Sequence, residues 1–317
     1  MESESIFEME LKYFSTFSGI GGFELGIDNK AECIGFSEID KYAIEIYKKH
    51  FPGHKNYGDI TTINTSELPD FDLLVGGFPC QSLSIAGKRK GFEDTRGTLF
   101  FDLARILQAK QPELFIFENV KGLLSHDNGQ TFKTIIATLT ELGYDLQWQV
   151  LNSKNFGVPQ NRERVFIVGH LGGTSRPKVF PIGKGSKQII QLCEQPVANC
   201  IKARLDADGG GSYFIEGKLN EEEKRDIVSS VKANHFTQNG RNIHNDGYAF
   251  TISQDQNDSC VAKGYKVRRL TPTECERLQG FPDGWTEGIS DSQRYKCLGN
   301  AVTVNVVSEI IKNILYE

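Results

Sequence analysis

The chain has 317 residues, 38% of them hydrophobic, with 36 Lys and Arg against 41 Asp and Glu and a formal net charge of −5. That length suits one large and one small domain, and no run of about 18 apolar residues is present to span a bilayer as a helix. The seven cysteines are scattered, odd in number and without metal-ligand spacing, which argues against a disulfide scaffold or a structural zinc site and for a reduced, cytoplasmic protein.

The acidic start Met1–Ser5 lacks the basic and apolar regions of a secretion signal. Over the first 170 residues short apolar runs alternate with amphipathic stretches, the pattern of a parallel sheet with crossover helices. Leu11–Phe17 reads as a strand, followed by Ser18-Gly19-Ile20-Gly21-Gly22 and a helix opening near Phe23. Cys33–Ser37 is a second strand, ending at Glu38, and Phe71–Gly76 a third, ending at Gly77-Phe78-Pro79-Cys80. Leu99, Leu103, Ile106 and Leu107 share one helical face. Leu114–Phe117 is a buried-type strand ending at Glu118-Asn119-Val120; a helix over Thr131–Leu142 and strands at Leu146–Leu151 and Val165–Gly169 follow.

From about Gly172 glycine and polar residues rise and periodicity weakens, apart from a short helix over Glu221–Lys232. Thr271-Pro272-Thr273-Glu274 is a capping box with Pro at the first helical position, and Gly280 and Pro282 mark that helix's end. A last helix from Asn300 carries the apolar stripe Val307, Ile310, Ile311 and Ile314 and should dock on the large domain. The division expected is a large domain of residues 1–172 plus 285–317, and a small one of residues 173–284.

A glycine turn at a strand's carboxyl end lets the backbone approach a ligand. A carboxylate such as Glu38 at the next strand end can accept from both ribose hydroxyls, so the pair fits a nucleoside-bearing cofactor. An ordinary strand–helix turn with a surface Glu fits those two features equally well. Cys80 follows a strand in a loop rather than sitting inside a core run, and Glu118 ends the neighbouring strand. A thiol nucleophile, a carboxyl group and a cofactor turn at one sheet edge make a catalytic constellation. Net acidity argues weakly against nucleic-acid binding. Lys88-Arg89-Lys90, Arg162 with Arg164, and Lys266 with Arg268-Arg269 are nevertheless candidate basic patches, although each alone reads more readily as solvated charge.

Seven segments in order resemble the motifs of the cytosine-5 DNA methyltransferase family. They are Phe17-Ser18-Gly19-Ile20-Gly21-Gly22-Phe23-Glu24, Gly77-Phe78-Pro79-Cys80-Gln81, Arg96-Gly97-Thr98-Leu99-Phe100, Glu118-Asn119-Val120, Gln160-Asn161-Arg162-Glu163-Arg164, Arg269–Cys275 and Gly299–Asn305. Gly87–Gly97 and Ser125–Gly129 are most similar to the small GCGC-methylating bacterial members. The resemblance implies an α/β fold of the class I S-adenosylmethionine-dependent (Rossmann-like) type: a doubly wound, mostly parallel sheet with a small, irregular, mainly β target-recognition domain.

It implies that Phe17, Gly19, Gly21, Gly22, Glu38, Ile39, Asp59, Ile60, Asn300 and Ala301 bind S-adenosyl-L-methionine, with S-adenosyl-L-homocysteine as product. Asp59 would accept from the adenine amino group, while Ile39 stands where many relatives place Trp. Cys80 would attack C6 of a flipped-out cytosine in duplex DNA. Glu118 would hold N3 and the amino group, and Arg164 and Arg162 would contact the nucleotide or its phosphate. DNA contacts would come from Gln81, Ser84, Lys88, Arg89 and Arg96, in a segment whose Gly87, Gly91 and Gly97 could act as hinges, and from Gln238 and Arg241 in the small domain. A prokaryotic or phage-encoded monomer is implied, acting apart from any cognate restriction endonuclease.

Three rivals remain. A tRNA cytosine-5 methyltransferase shares the motifs, but the ~95 residues between the Gln-x-Arg-x-Arg segment and Arg269 suit a DNA-reading domain, and a Cys-Phe-Thr signature is missing. A non-catalytic DNA-binding regulator needs neither Cys80 nor Glu118. A nicotinamide-dependent oxidoreductase is permitted by the glycine turn but does not require that pair.

Overall fold

The computed structural model describes residues 11–79, 99–172, 179–182 and 270–316, and the backbone of short strands between residues 198 and 269. The helix expected over Glu221–Lys232 lies outside them. The chain divides into two compact units: residues 1–151, 163–184 and 306–317 form the first, and residues 152–162 and 185–305 the second.

The first unit is built on β1 (Lys12–Thr16), β2 (Glu32–Ser37), β3 (Leu73–Gly77), β4 (Leu114–Val120), β5 (Tyr144–Asn152, to Leu151 in this unit) and β7 (Glu163–Leu171). They form a six-stranded sheet in the order β2-β1-β3-β4-β7-β5. β1 pairs parallel with β2 and β3, and β3 with β4; β7 enters antiparallel beside β4. β3 and β4 open on short continuous apolar runs, and Phe14, Leu73, Leu74, Val75, Phe115, Ile116 and Phe117 are all fully buried. That is the signature of strands covered on both faces.

The helices are α1 (Gly22–Ile27), α2 (Lys41–His50), α3 (Leu99–Lys110) and α4 (Gln130–Glu141). On α3 the stripe Phe100, Leu103, Ile106 and Leu107 joins one core cluster with Phe14, Leu74, Phe115 and Phe117. α2 is amphipathic through Ala43, Ile46 and Tyr47, and Asp40 caps it by accepting from the amides of Tyr42 and Ala43. After β1 the chain turns to β2 on one side and then to β3 on the other. The carboxyl ends of β1 and β3 therefore flank the point where strand order reverses, where open α/β sheets bind ligands.

In the second unit β9 (Gly211–Glu216) pairs antiparallel with β10 (Thr251–Ile252) and β12 (Tyr265–Arg269), and β11 (Val261–Ala262) completes the order β10-β9-β12-β11. β6 (Gln160–Asn161) pairs with β8 (Ala198–Asn199). Then come α5 (Pro272–Gln279) and α6 (Asp291–Asn300). The capping box forms as expected: Thr271 Oγ1 accepts from the Glu274 amide, and Glu274 Oε2 accepts from the Thr271 amide. Gly280, at φ 80°, ends α5.

The structure differs from the sequence expectation at Asn300. That residue is the last of α6, not the first of the terminal helix, and α7 (Val304–Tyr316) starts four residues on. Between them Ala301 is extended, and the Thr303 hydroxyl lies 2.8 Å from both Ser153 Oγ and Gln279 Oε1, which breaks the helix. Within the first unit Ser308 Oγ donates to Gly26 O at 3.1 Å, so α7 docks on the end of α1.

A buried ion pair organises α5 and α6. Glu276, fully buried, accepts from the amides of Gly284 and Thr286, from the Thr286 hydroxyl, and from Arg294 Nη2 at 3.0 Å. Glu276→Ala should strand Arg294 and two amides, lowering stability by about 3–5 kcal/mol in urea unfolding. A loss below about 1 kcal/mol would show that the network is dispensable.

Candidate functional site

The turn after β1 is shaped by backbone conformation. Phe17, Gly19 and Gly21 have φ of 51°, 56° and 86°. For Phe17 this left-handed conformation is a strained one, of the kind that clusters at ligand sites. A Cβ on Gly21 would lie 2.5 Å from the Phe51 ring, whereas one on Gly19 would meet nothing within 4 Å. Gly21 is thus required by packing as well as by φ, and Gly19 leaves open space at the turn.

Glu38, at the end of β2, ties this turn to its neighbour. Its Oε2 accepts from the Gly19 amide at 2.9 Å, and its Oε1 from the amides of Ile39 at 2.8 Å and Asp40 at 2.9 Å. The side chain of Ile39 is 70% exposed, a large apolar surface left open beside that carboxylate. Asp59 caps the 3-10 turn Ile60–Thr62, its Oδ1 accepting from the Thr61 amide and hydroxyl at 2.9 Å each; Oδ2 has no hydrogen bond among the described residues. Ile60 is buried. An open glycine turn, a carboxylate fixed at a strand end, an exposed aliphatic face and a carboxylate oxygen left open among the described residues fit a nucleoside-bearing ligand.

Behind the turn lies a carboxyl group with no place in that list. Glu24, buried in α1, accepts from Tyr47 Oη at 3.0 Å, and Tyr47 Oη lies 3.0 Å from His54 Nδ1. Burial pushes the Glu24 carboxyl up from 4.5 to about 7, against the Tyr47 bond.

At the ends of β3 and β4 the register sets Gly77 beside Glu118. A Cβ on Gly77 would lie 3.1 Å from Glu118 Oε2, so glycine there leaves room for the carboxylate. Asn119, also buried, donates from Nδ2 to Phe78 O at 2.9 Å and so fixes the chain leaving β3 toward Cys80. On β7, Phe166 is opposite Glu118, which puts Arg164 on the same face one step along the diagonal. Arg164 Nε reaches Glu118 Oε1 at 2.9 Å, with both side chains mostly shielded from solvent.

Arg162 and the pair Asn300 and Ala301 belong to the second unit. Arg162 is 2% exposed, and its Nη2 donates to Gly299 O at 3.1 Å and Ala301 O at 2.9 Å. Gln279 Nε2 donates to Leu298 O at 2.7 Å and Ala301 O at 3.3 Å. Two side chains thus hold the carbonyls around Asn300, whose own side chain is exposed. Arg162 thus supports the backbone on either side of Asn300. Cys80, Gln81, Ser84, Lys88, Arg89, Arg96, Gln238 and Arg241 lie outside the described residues. Sequence reasoning passed over Asn119 and Gln279 as supporting parts; only Asn119 had a signal, its place in the Glu118-Asn119-Val120 segment.

The family model of the C-5 cytosine-specific DNA methylases matches residues 11–316. The chain is 38% identical to the Type II methyltransferase M.HhaI of Haemophilus parahaemolyticus over 96% of this chain and 94% of that protein. It is 42% identical to the Type II methyltransferase M.NgoBI of Neisseria gonorrhoeae over 93% and 90%. Among solved structures, the S. pombe Dnmt2 methyltransferase superposes with a TM-score of 0.69 at 19% identity, covering 96% of this chain and 98% of that one.

The raised Glu24 carboxyl carries a pH dependence. Because its folded value of about 7 lies above the ordinary 4.5, its burial costs nothing below pH 4.5, and stability falls as pH climbs through 7. Glu24→Gln should therefore be more stable than the wild type at pH 8, by about 1–3 kcal/mol, with the difference shrinking toward pH 5. Urea unfolding at the two pH values measures this, and a difference that does not change with pH would contradict it.

Proposed function

The chain belongs to the C-5 cytosine-specific DNA methylase family, and on that premise we propose that it methylates cytosine in duplex DNA by covalent catalysis at the carboxyl ends of β3 and β4. The observation that carries this reading is the register of Gly77 with Glu118, together with the Arg164–Glu118 pair. It presents a carboxyl group, oriented and shielded, beside the strand exit that leads to Cys80.

Cytosine C5 is a weak nucleophile. Addition of the Cys80 thiolate at C6 converts the ring to an enamine and makes C5 nucleophilic. Glu118 hydrogen-bonds N3 and the exocyclic amine and delivers a proton to N3 as electron density enters the ring. Arg164 holds Glu118 in place and keeps positive charge beside the ring. After methylation the C5 proton leaves to a base, Cys80 departs by elimination as a thiolate, and the N3 proton returns to Glu118. The target is inaccessible in a stacked duplex, so the base is flipped out, as the methyltransferases in general do.

S-adenosyl-L-methionine, when bound, supplies an electrophilic methyl on sulfonium. The turn of Phe17, Gly19, Gly21 and Gly22 would hold its tail, Glu38 would accept from its ribose, Ile39 and Ile60 would pack on its base, and Asp59 would accept from its amino group. Asn300 and Ala301 are further contacts, held by Arg162 and Gln279. Glu38 already receives three backbone amides, so ribose hydroxyls must share or displace them.

Residues 173–284 are assigned to target recognition, with Gln238 and Arg241 as candidate base readers, and Gln81, Ser84, Lys88, Arg89 and Arg96 to DNA contact. We further infer a modification enzyme that works as a monomer, apart from any cognate endonuclease; its likeness to Type II methyltransferases supports the modification role. No helix among the described residues is long and apolar enough to cross a membrane.

Transfer of labelled methyl from S-adenosylmethionine to unmethylated duplex DNA and, separately, to total tRNA tests this. Label should enter DNA alone, as 5-methylcytosine, and Cys80→Ala should lower transfer by more than about 10³-fold. Label in tRNA would move the activity to RNA. DNA binding without transfer to either would overturn the enzyme reading.

A further inference from the structure

We propose that Arg105 is a positioning residue that sets the adenine selectivity of the cofactor site by gripping the turn that carries Asp59. The proposal rests on the reading of Asp59 as acceptor for the adenine amino group.

Arg105 lies on α3, beside the buried stripe of Leu103, Ile106 and Leu107. Its Nη1 donates to Ile63 O and its Nη2 to Ile60 O, each at 2.8 Å. Asp102, three residues earlier on the same helix, aims the guanidinium: Asp102 Oδ1 lies 3.2 Å from Nη2 and 3.4 Å from Nε. The two carbonyls bracket the 3-10 turn Ile60–Thr62 and its last cap, Ile63. The planar fork thus spans the turn as a clamp, a grip that one ammonium cannot reproduce.

The upstream side of the turn is fixed separately. The Gly58 amide donates to Asn56 Oδ1 at 2.9 Å, and Ser37 Oγ donates to Gly58 O at 2.7 Å. Downstream, the polar hold from another element is Arg105. Asp59 stands between these anchors, with Oδ1 committed to Thr61 and Oδ2 open. Where Oδ2 points is therefore decided by whether both anchors hold.

Adenine offers an N6–H donor to that oxygen. Hypoxanthine places a carbonyl oxygen at the same position, so acceptor faces acceptor and the base is rejected. A site built to pair with a substrate N–H discriminates strongly only while its acceptor stays in place. Releasing the Arg105 clamp lets Asp59 swing and weakens that discrimination, while the glycine turn and Glu38 still hold the rest of the nucleoside.

The test compares binding of S-adenosylhomocysteine with its 6-oxo counterpart, S-inosylhomocysteine, to full-length wild type, Arg105→Ala, Arg105→Lys and Asp59→Asn. Melting temperature checks folding of each. The wild type should prefer the adenine ligand. Asp59→Asn, whose amide can donate to a 6-oxo group, should abolish the preference. Arg105→Ala should reduce the preference about tenfold, the size of one lost hydrogen bond, and Arg105→Lys by less. The KM for S-adenosylmethionine should rise while kcat falls far less.

If Asp59→Asn abolishes the preference but folded Arg105 variants keep it, the proposal is overturned and the reading of Asp59 stands. If Asp59→Asn leaves the preference intact, that reading fails and the proposal with it. If Arg105→Ala does not fold, Arg105→Lys decides, and an unchanged preference in it overturns the proposal.

Discussion

The parallel pairing of β3 with β4, in the register that sets Gly77 beside Glu118, is the constraint on which the proposed chemistry depends. Adjacent strands lie about 4.8 Å apart, so a nucleophile just past one strand end and a carboxyl group at the next can serve a single ring. The pairing works only because β3 ends in two glycines. A Cβ on Gly76 would lie 2.1 Å from Thr16 Oγ1, and one on Gly77 would crowd Glu118. Thr16 in turn donates to Val75 O at 2.9 Å. The last residues of β1, β3 and β4 are thereby locked side by side, which brings the glycine turn to the same edge as Glu118.

Carboxyl groups in this unit are given different work by their surroundings. Glu38 is held by backbone amides, which orient it. Asp59 keeps one oxygen open. Glu118 is paired with Arg164, which fixes its direction and shields it. Glu24 is pushed toward the neutral form by its full burial. A chain with net charge −5 can thus serve an anionic polymer, because acidic groups at this sheet edge are buried, paired with an arginine or engaged by backbone amides.

Much of the first unit was legible because its signals are strong and local. Apolar runs marked β3 and β4 and the glycine turn announced itself, while in the second unit Thr271 with Glu274 forms the capping box its spacing implied. Helix α6 was not legible. Of its ten residues only Cys297, Leu298 and Gly299 are buried, so it has no apolar period to detect, and Asn300 was assigned to the wrong helix. Arg162 shows a different limit. An arginine beside Arg164 in a Gln-x-Arg-x-Arg segment reads as a ligand contact, and only the fold reveals that its Nη2 also holds the carbonyls of Gly299 and Ala301. Arg105 was hidden for the same reason, since its partners lie 42 and 45 residues away in sequence.

The central claim is that Cys80 forms a bond to the target cytosine. Duplex DNA synthesised with 5-fluorocytosine in place of every cytosine contains any target sequence and blocks the final elimination, because fluorine cannot leave C5 as the proton does. Incubated with the protein and S-adenosylmethionine, it should yield a complex that survives denaturation, and peptide mass spectrometry should place the methylated fluoropyrimidine on Cys80. The absence of any such complex, or attachment at another residue, would contradict the account.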